Sequence, residues 1–506
     1  MRSRLHLLLP AALAVLLAAC DATPQQPPAG PRADADGIVH YGQLRFEPCS
    51  LDGPGNTSVR AQCSSLTVAE DHENPDGQQI DLAIALVPAD GLAEADPVYM
   101  IAGGPGQSAL ETYPMLHRAF ADVRRNRHVI LVDARGTGGS NPLHCRVDED
   151  SPLLTGLEAD DPDAARVFTE RCRAELEQVA DLRFYTTGEH VRDLDTVRQA
   201  LGVERINLVG VSYGTRVAQQ YAATYPEHTR ALVLDSVVPN SLAVGQEHAR
   251  NLEDALDAQF ERCREDGACA DNLGDPREQL DLVRTRLEAG GIEPVRYRDP
   301  VTGQWREEVP RFGHLAGLLR MHPYHPSTAS TLPLLLHEAA QGRYESLLAQ
   351  SRMVAGQLGE SIAMGMSLSV SCSEDAPDFD LRSSNEDTVL GDAFLSVLQT
   401  QCDIWPRGTR TADFRAPLSG EIPVLAISGE FDPVTPPRYG DEAVEHLPNG
   451  RHLVLPGQGH SVLSTGCTPK LFAQFIESTD AAALDASCLQ RLRPTPPFAG
   501  HYGWEP

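Results

Sequence analysis

Short continuous apolar runs, rather than long amphipathic repeats, dominate the first half of the chain and its last hundred residues. Pro97–Ile101, His128–Asp133, Ile206–Val211, Ala231–Asp235, Ile422–Gly429 and His452–Leu455 are short and carry few polar side chains. Runs of this kind read as strands buried on both faces, as in a parallel sheet. From about residue 240 to 415 the spacing changes. Apolar residues recur at three- and four-residue intervals in Ala249–Cys263, Pro276–Ala289, Thr331–Gln341 and Tyr344–Leu358, so this interval is expected to be mainly helical. The predicted fold class is α/β, a mostly parallel central sheet with helices on both faces and an inserted helical cap. Residues 39–239 and 416–506 are expected to form the two parts of the sheet domain, and 240–415 the cap. A chain of 506 residues is long enough to bury two cores.

The run Ile206–Val211 leads into Gly210-Val211-Ser212-Tyr213-Gly214, and a helical pattern follows from Tyr213 to Tyr225. Strand, sharp turn and helix hold Ser212 at an exposed apex, with glycines where side chains would collide with neighbouring chain. A lone Gly-x-Ser-x-Gly is common, so the case rests on the other strand ends. Pro97–Ile101 ends in Ala102-Gly103-Gly104-Pro105-Gly106, a loop whose N–H groups can turn toward an oxyanion, and the expected hole is Gly104 N–H with Tyr213 N–H. His128–Asp133 ends in a Gly-rich turn where Asp133 and Arg135 are expected to hold loops. Ile422–Gly429 is followed by Glu430-Phe431-Asp432-Pro433, and His452–Leu455 by a loop that carries His460. Asp432 is the candidate acid, with Glu430 as the alternative. The chain order Ser212, Asp432, His460 is that of an α/β-hydrolase triad. Serine at its free pKa is a poor nucleophile, so His460 has to take its proton, and Asp432 has to fix the imidazole tautomer.

Gly-Gly-Pro-Gly at 103–106, Asp-x-Arg-Gly-x-Gly at 133–138, Gly-Val-Ser-Tyr-Gly-Thr-Arg at 210–216 and Asp-Pro-Val-Thr-Pro-Pro at 432–437 carry a family resemblance. They are similar to motifs of secreted bacterial α/β-hydrolases of the tripeptidyl aminopeptidase and prolyl iminopeptidase group, over about residues 40 to 490. The resemblance implies a serine exopeptidase acting on free N-termini, without metal or other cofactor. Where many such proteins have His before Gly-Gly-Pro-Gly, this chain has Ala102. Ser371-Cys372-Ser373-Glu374-Asp375 resembles a Cys-x-Glu-Asp element of the group. An aminopeptidase must recognise a protonated amine, and Glu374 and Asp375 are the candidates for that contact.

The N-terminus bears on compartment. Arg2 and Arg4 precede an apolar core from Leu7 to Leu17, followed by Leu17-Ala18-Ala19-Cys20. Residues 1–19 have the look of a lipoprotein signal, which makes Cys20 the expected lipidation site and residues 20–38 a flexible tether. The expected location is a bacterial membrane, facing the periplasm or cell surface. Ten further cysteines are an even count, and an exported chain would pair them. Consecutive pairing gives 49–63, 145–172, 263–269, 372–402 and 467–488, a choice that rests on locality. Zinc is disfavoured, since Cys-x-x-Cys is absent from the sequence. The net charge of −29 argues against a nucleic-acid partner.

The expected activity is therefore that of an exported serine aminopeptidase whose partners are peptides with free N-termini. Two alternatives stand beside it. A carboxylesterase or other small-molecule hydrolase would use the same triad, because fold and triad do not choose between ester and amide. A binding lipoprotein that kept the fold without its chemistry is the other.

Overall fold

The computed structural model of the protein describes residues 30–53, 57–94, 96–146, 162–381 and 385–499. Its strands are β1 (Arg32–Ala33), β2 (Val39–Tyr41), β3 (Leu44–Gly53), β4 (Thr57–Ala69), β5 (Gln79–Val87), β6 (Val98–Ile101), β7 (Val129–Val132), β8 (Ile206–Val211), β9 (Thr229–Asp235), β10 (Val295–Arg298), β11 (Trp305–Glu308), β12 (Val424–Gly429) and β13 (Gly450–Leu455). All but β10 and β11 join one sheet in the order β1-β2-β3-β4-β5-β7-β6-β8-β9-β12-β13. From β7 to β13 every pairing is parallel, and from β1 to β5, and from β5 to β7, every pairing is antiparallel.

The parallel half follows directly from its composition. β6, β7, β8 and β12 are buried at every position. Alternate residues go to opposite faces, as the two-residue period of a strand requires. Tyr99, Ile101, Ile130, Val132, Leu208, Leu232, Leu234 and Ala426 join one apolar core, together with Val217, Ala218 and Tyr221 of the helix Tyr213–Thr224. Val98, Met100, Val129, Leu131, Val209, Val233, Leu425 and Ile427 join a second, together with Leu471, Phe472 and Phe475 of the helix Thr468–Ser478. Helices thus cover both faces, which is why each run carries no polar alternation.

The inserted region has a core of its own. Helices His248–Glu265, Pro276–Ala289, Phe312–Met321, Leu332–Ala340 and Glu345–Ser361 bury Leu252, Phe260, Leu280, Leu315, Leu336 and Leu347 against one another. The last part of the interval behaves differently. Met366, Leu368, Val370, Cys372 and Trp405 pack into the first sheet core, not the cap's. The region is therefore a helical cap whose closing segment is built into the body beneath it.

The five cysteine pairs expected from locality are the pairs present, Cys49–Cys63, Cys145–Cys172, Cys263–Cys269, Cys372–Cys402 and Cys467–Cys488. The signal segment 1–19 and Cys20 lie outside the described residues. Residues 20–29 of the expected tether, 20–38, likewise lie outside the described residues, while Arg32 and Ala33 pair with His40 and Val39 as an exposed edge strand. Among the described residues no helix is long and apolar enough to cross a membrane.

Candidate active site

Ser212 lies between the end of β8 and the helix Tyr213–Thr224, at φ 54° and ψ −123°. That is a costly conformation for a residue with a side chain. The flanking glycines permit it. A Cβ on Gly210 would fall 2.3 Å from the Gly214 carbonyl oxygen, and one on Gly214 would fall 2.5 Å from that of Ile101. The turn is therefore threaded between its own first helical turn and the end of β6. The Ser212 N–H donates to the Asp235 carbonyl at 2.8 Å, and Thr215 Oγ1 donates to the Ser212 carbonyl at 2.6 Å. The Ser212 hydroxyl does not cap the helix it precedes.

Asp432 and His460 come together as the sequence predicts. His460 Nδ1 donates to Asp432 Oδ2 at 2.8 Å. The other carboxylate oxygen accepts Val434 N–H and Thr435 N–H at 2.9 and 2.8 Å, and Thr435 Oγ1 donates to Oδ2 at 2.8 Å. Burial alone would push the Asp432 carboxyl up, but the His460 charge and these bonds outweigh it and hold it below the usual range. Burial likewise opposes protonation of His460, and the Asp432 charge reverses that, raising the imidazole above its ordinary value. Among the described residues no hydrogen bond joins the Ser212 hydroxyl to His460 Nε2. Contacts of this kind are commonly long before substrate is bound. Glu430, the alternative acid, points elsewhere: its Oε2 accepts Gly457 N–H at 2.7 Å and braces the loop ahead of His460.

Gly429 and Gly459 set how closely the two loops approach. A Cβ on Gly429 would fall 1.8 Å from the Gly459 carbonyl oxygen. Gly429→Ala must therefore displace the backbone next to His460. We expect a destabilisation of about 1–3 kcal/mol, seen as a lower denaturant midpoint, together with loss of activity in the fraction that remains folded.

The loop after β6 reaches Ser212 through Gly103. A Cβ there would lie 3.1 Å from the Ser212 Cβ, whereas one on Gly104, at φ 107°, would meet Gly106 N at 2.6 Å inside its own turn. Gly103 is thus the glycine packed on the serine, and Gly104 is the one that makes the turn possible. The cap closes on the same loop, with Ala363 N–H donating to the Gly106 carbonyl at 2.9 Å. Asp133 fastens its far side, accepting from Ser108 Oγ at 2.6 Å, Leu110 N–H at 3.0 Å and Gly139 N–H at 3.0 Å. Arg135 is wholly buried and makes a two-pronged pair with Asp193, Nε to Oδ2 and Nη2 to Oδ1, both 2.7 Å. Both residues therefore have the loop-holding role read from the sequence.

Glu374 and Asp375 lie on a single π-helical turn, Ser371–Asp375, fastened by Cys372–Cys402, and each is 1% exposed. Asp375 Oδ1 pairs with Arg216 Nη1 at 2.9 Å and Arg415 Nη2 at 3.1 Å and accepts Val244 N–H at 2.9 Å. Removing one partner of a buried pair costs about 3–5 kcal/mol, so loss of Asp375 would be a folding defect first. Glu374 accepts Thr187 N–H at 2.6 Å and Thr187 Oγ1 at 2.7 Å, and Thr187 Oγ1 also bonds the Tyr213 hydroxyl at 2.6 Å. Burial pushes the Glu374 carboxyl up to about 7. The pair buttresses the helix after Ser212, and the arginines that draw Asp375 inward are 159 and 40 residues distant in sequence.

Sequence reasoning also missed Tyr324 and Thr435. The Tyr324 carbonyl accepts His460 N–H at 2.8 Å, and its ring stands edge-on to the imidazole with centroids 4.8 Å apart. A tyrosine 136 positions before the histidine carries no local signal, whereas Thr435 two residues after Asp-Pro could have been read as an acceptor turn closing on its own aspartate. Among the described residues no group of three or more His, Cys, Asp or Glu could hold a metal ion.

Residues 96–307 match the family model described as alpha/beta hydrolase fold, and residues 387–488 match one described as TAP-like protein. Together with the sheet order and the strand-end positions of Ser212, Asp432 and His460, these matches decide the family of folds. The chain has the α/β-hydrolase fold. It is 25% identical over 465 residues to the serine protease Hip1 of Mycobacterium tuberculosis, covering 84% of this chain and 86% of that protein. To the tripeptidyl aminopeptidase of Streptomyces coelicolor it is 24% identical over 488 residues, covering 90% and 87%. A carboxylesterase B of Mycobacterium tuberculosis is 33% identical over a shorter stretch of 189 residues, 35% of this chain and 36% of that protein. This chain is thus a distant relative of serine-protease-like and aminopeptidase-like hydrolases.

Proposed function

We propose that this protein is an exported, lipid-anchored serine aminopeptidase that uses Ser212 as nucleophile, His460 as general base and acid, and Asp432 to orient His460. The observation that carries the hydrolytic chemistry is the 2.8 Å bond from His460 to the buried, ionised Asp432, on loops that leave adjacent strands one position removed from the Ser212 turn. In the cycle, Ser212 attacks the scissile carbonyl while His460 Nε2 takes its proton. N–H groups of Tyr213 and Gly104 receive the oxyanion. His460 then gives its proton to the leaving amine, and water repeats the sequence on the acyl-enzyme. Preference for peptides over esters is supported by relatives matched along most of their length, Hip1 and the tripeptidyl aminopeptidase. A cap built over the loops of the site is in keeping with restriction to chain ends. Export is supported by the five disulfides, which persist in oxidising compartments.

The shorter but closer match to a carboxylesterase favours a second reading, hydrolysis of small esters by the same residues. Steady-state rates on a free-amine peptide amide, its N-acetylated twin and a simple acyl ester separate the two. The aminopeptidase reading expects kcat/KM highest for the free-amine amide. A rate confined to the ester, with both amides inert, establishes the esterase.

The pH dependence follows from the same geometry. Activity requires neutral His460, and its conjugate acid is stabilised by Asp432, so the imidazole stays protonated to higher pH than a free histidine. We expect kcat/KM to rise with pH through a single limb centred above the ordinary histidine value of about 6.5. A limb centred below that value would mean that burial, not Asp432, dominates.

A further inference from the structure

Three non-glycine residues at the site hold positive φ: Ser212 at 54°, Ser236 at 60° and Ser461 at 64°. The first is explained by the turn at the nucleophile. The other two face each other, and together they build a second structure next to the Asp432–His460 pair. Ser461, Val462 and Leu463 immediately follow His460 and direct three successive N–H groups at the end of β9. Ser461 N–H donates to Ser236 Oγ at 2.8 Å, Val462 N–H to Asp235 Oδ1 at 2.8 Å and Leu463 N–H to Asp235 Oδ2 at 2.9 Å. Successive N–H groups that begin at a left-handed residue form a concave anion-binding nest. Here the anion is supplied by the chain itself. Asp235 and Ser236 are fully buried, and the Asp235 carbonyl takes the Ser212 N–H at 2.8 Å, so one residue touches both the nucleophile's turn and the histidine's loop.

We propose that Asp235 is a positioning residue for catalysis, a carboxylate docked in the N–H nest after His460 that sets where the imidazole stands relative to Ser212. The inference rests on the serine-hydrolase reading of the site and deepens it. Asp235 does not replace Asp432, because both of its oxygens serve backbone N–H groups while His460 Nδ1 is bonded to Asp432. The charged and titratable groups around His460 are Asp432 and Asp235, with Tyr324 against the ring and His248 and Arg320 on the cap side. Burial keeps His248 neutral, down to about 3, and pushes Tyr324 up to about 12, so neither changes charge between pH 5 and 9. Burial pushes the Asp235 carboxyl itself up to about 6. Above that value its negative charge adds to that of Asp432 in favouring the imidazolium.

The sequence carried the signal in part. Ala231–Asp235 reads as a buried apolar strand that ends in a carboxylate, and a buried charge must find donors. Which donors it finds is set by a loop 227 and 228 positions later, which no local pattern connects to it.

The test is the rate at which a fluorophosphonate labels Ser212 as a function of pH, measured on the wild-type chain, Asp235→Asn and Ser236→Ala, with kcat and KM on a substrate turned over by the wild type. In Asp235→Asn one oxygen becomes an NH2 that opposes a backbone N–H, so the loop must shift. We expect kcat and the labelling rate to fall by about 10²-fold, as an ångström-scale misplacement of a catalytic group does, with KM little changed. The pH limb should move to lower pH, because a negative charge near His460 is gone. Ser236→Ala keeps the carboxylate and loses one of the three bonds. It should show a smaller loss of kcat with the limb unmoved, and it decides the matter if Asp235→Asn does not fold. A folded Asp235→Asn that labels at the wild-type rate with an unshifted limb overturns the proposal. So does a Ser236→Ala that is indistinguishable from wild type when Asp235→Asn is insoluble. Failure of the wild type to label at Ser212 instead overturns the serine-hydrolase reading itself.

Discussion

Replacing Ser212 with alanine is expected to lower kcat by about 10⁶-fold, because a triad acts as a unit and loss of its nucleophile removes the covalent route altogether. The fold should not change. Ser212 contributes its backbone to the turn, through the N–H to Asp235 and the carbonyl to Thr215, and alanine keeps both contacts. Thermal unfolding of the variant should therefore match the wild type, since the turn is strained at φ 54° for any side chain and alanine keeps the same Cβ. Residual hydrolysis should come only from the oxyanion donors and substrate binding. A variant that keeps more than a thousandth of wild-type kcat, free of contaminating hydrolase, would show that another group attacks the substrate.

The second large effect separates two carboxylates that the sequence could not. Asp432→Asn should lower kcat by about 10⁴-fold, because an amide in that place favours the wrong imidazole tautomer and cannot stabilise the imidazolium. Its pH limb should also move down, since the charge that raises His460 is removed. Glu430→Gln retains an oxygen for the Gly457 N–H and should leave kcat and the pH limb close to wild type. Steady-state kinetics of the two variants side by side decide the acid. Equal losses would mean that both loops are merely being disturbed, and a larger loss in Glu430→Gln would reverse the assignment.

What the sequence made legible was whatever a short local signal could carry. The apolar strands β6, β7, β8, β9 and β12 are buried on both sides and read as such, whereas β13, at the sheet edge, leaves Val454 exposed; the polar ends that follow β8, β12 and β13 hold the nucleophile, acid and base candidates. Four cap helices were found within a few residues, because each repeats its apolar residues with helical spacing, whereas Phe312–Met321 was missed. The antiparallel edge β1 to β5 was not found. In β3 the buried positions Leu44, Phe46 and Leu51 lose their two-residue phase across Pro48 and Cys49, and in β4 exposed serines and threonines dilute it. The hairpin of β10 and β11 was missed for a similar reason, since its four-residue strands are largely charged.

At the site the division is sharper. Residue types dictated by chemistry were recognisable, whereas residues that hold those in place were not. Tyr324, Asp235 and the Arg216–Asp375–Arg415 cluster act across more than a hundred positions of sequence in most of their contacts. Glu374 and Asp375 show this: their burial is set by Arg216, Arg415 and Thr187, none of them near in sequence.

The central claim is that Ser212, activated by His460 and Asp432, removes residues from free peptide N-termini. It is tested most directly by mass spectrometry of products from an unblocked peptide of mixed sequence, incubated beside its N-acetylated twin and with Ser212→Ala as control. The account predicts stepwise N-terminal fragments from the unblocked peptide alone, and none with the variant. Equal cleavage of both peptides at internal bonds, or cleavage that survives Ser212→Ala, would contradict it.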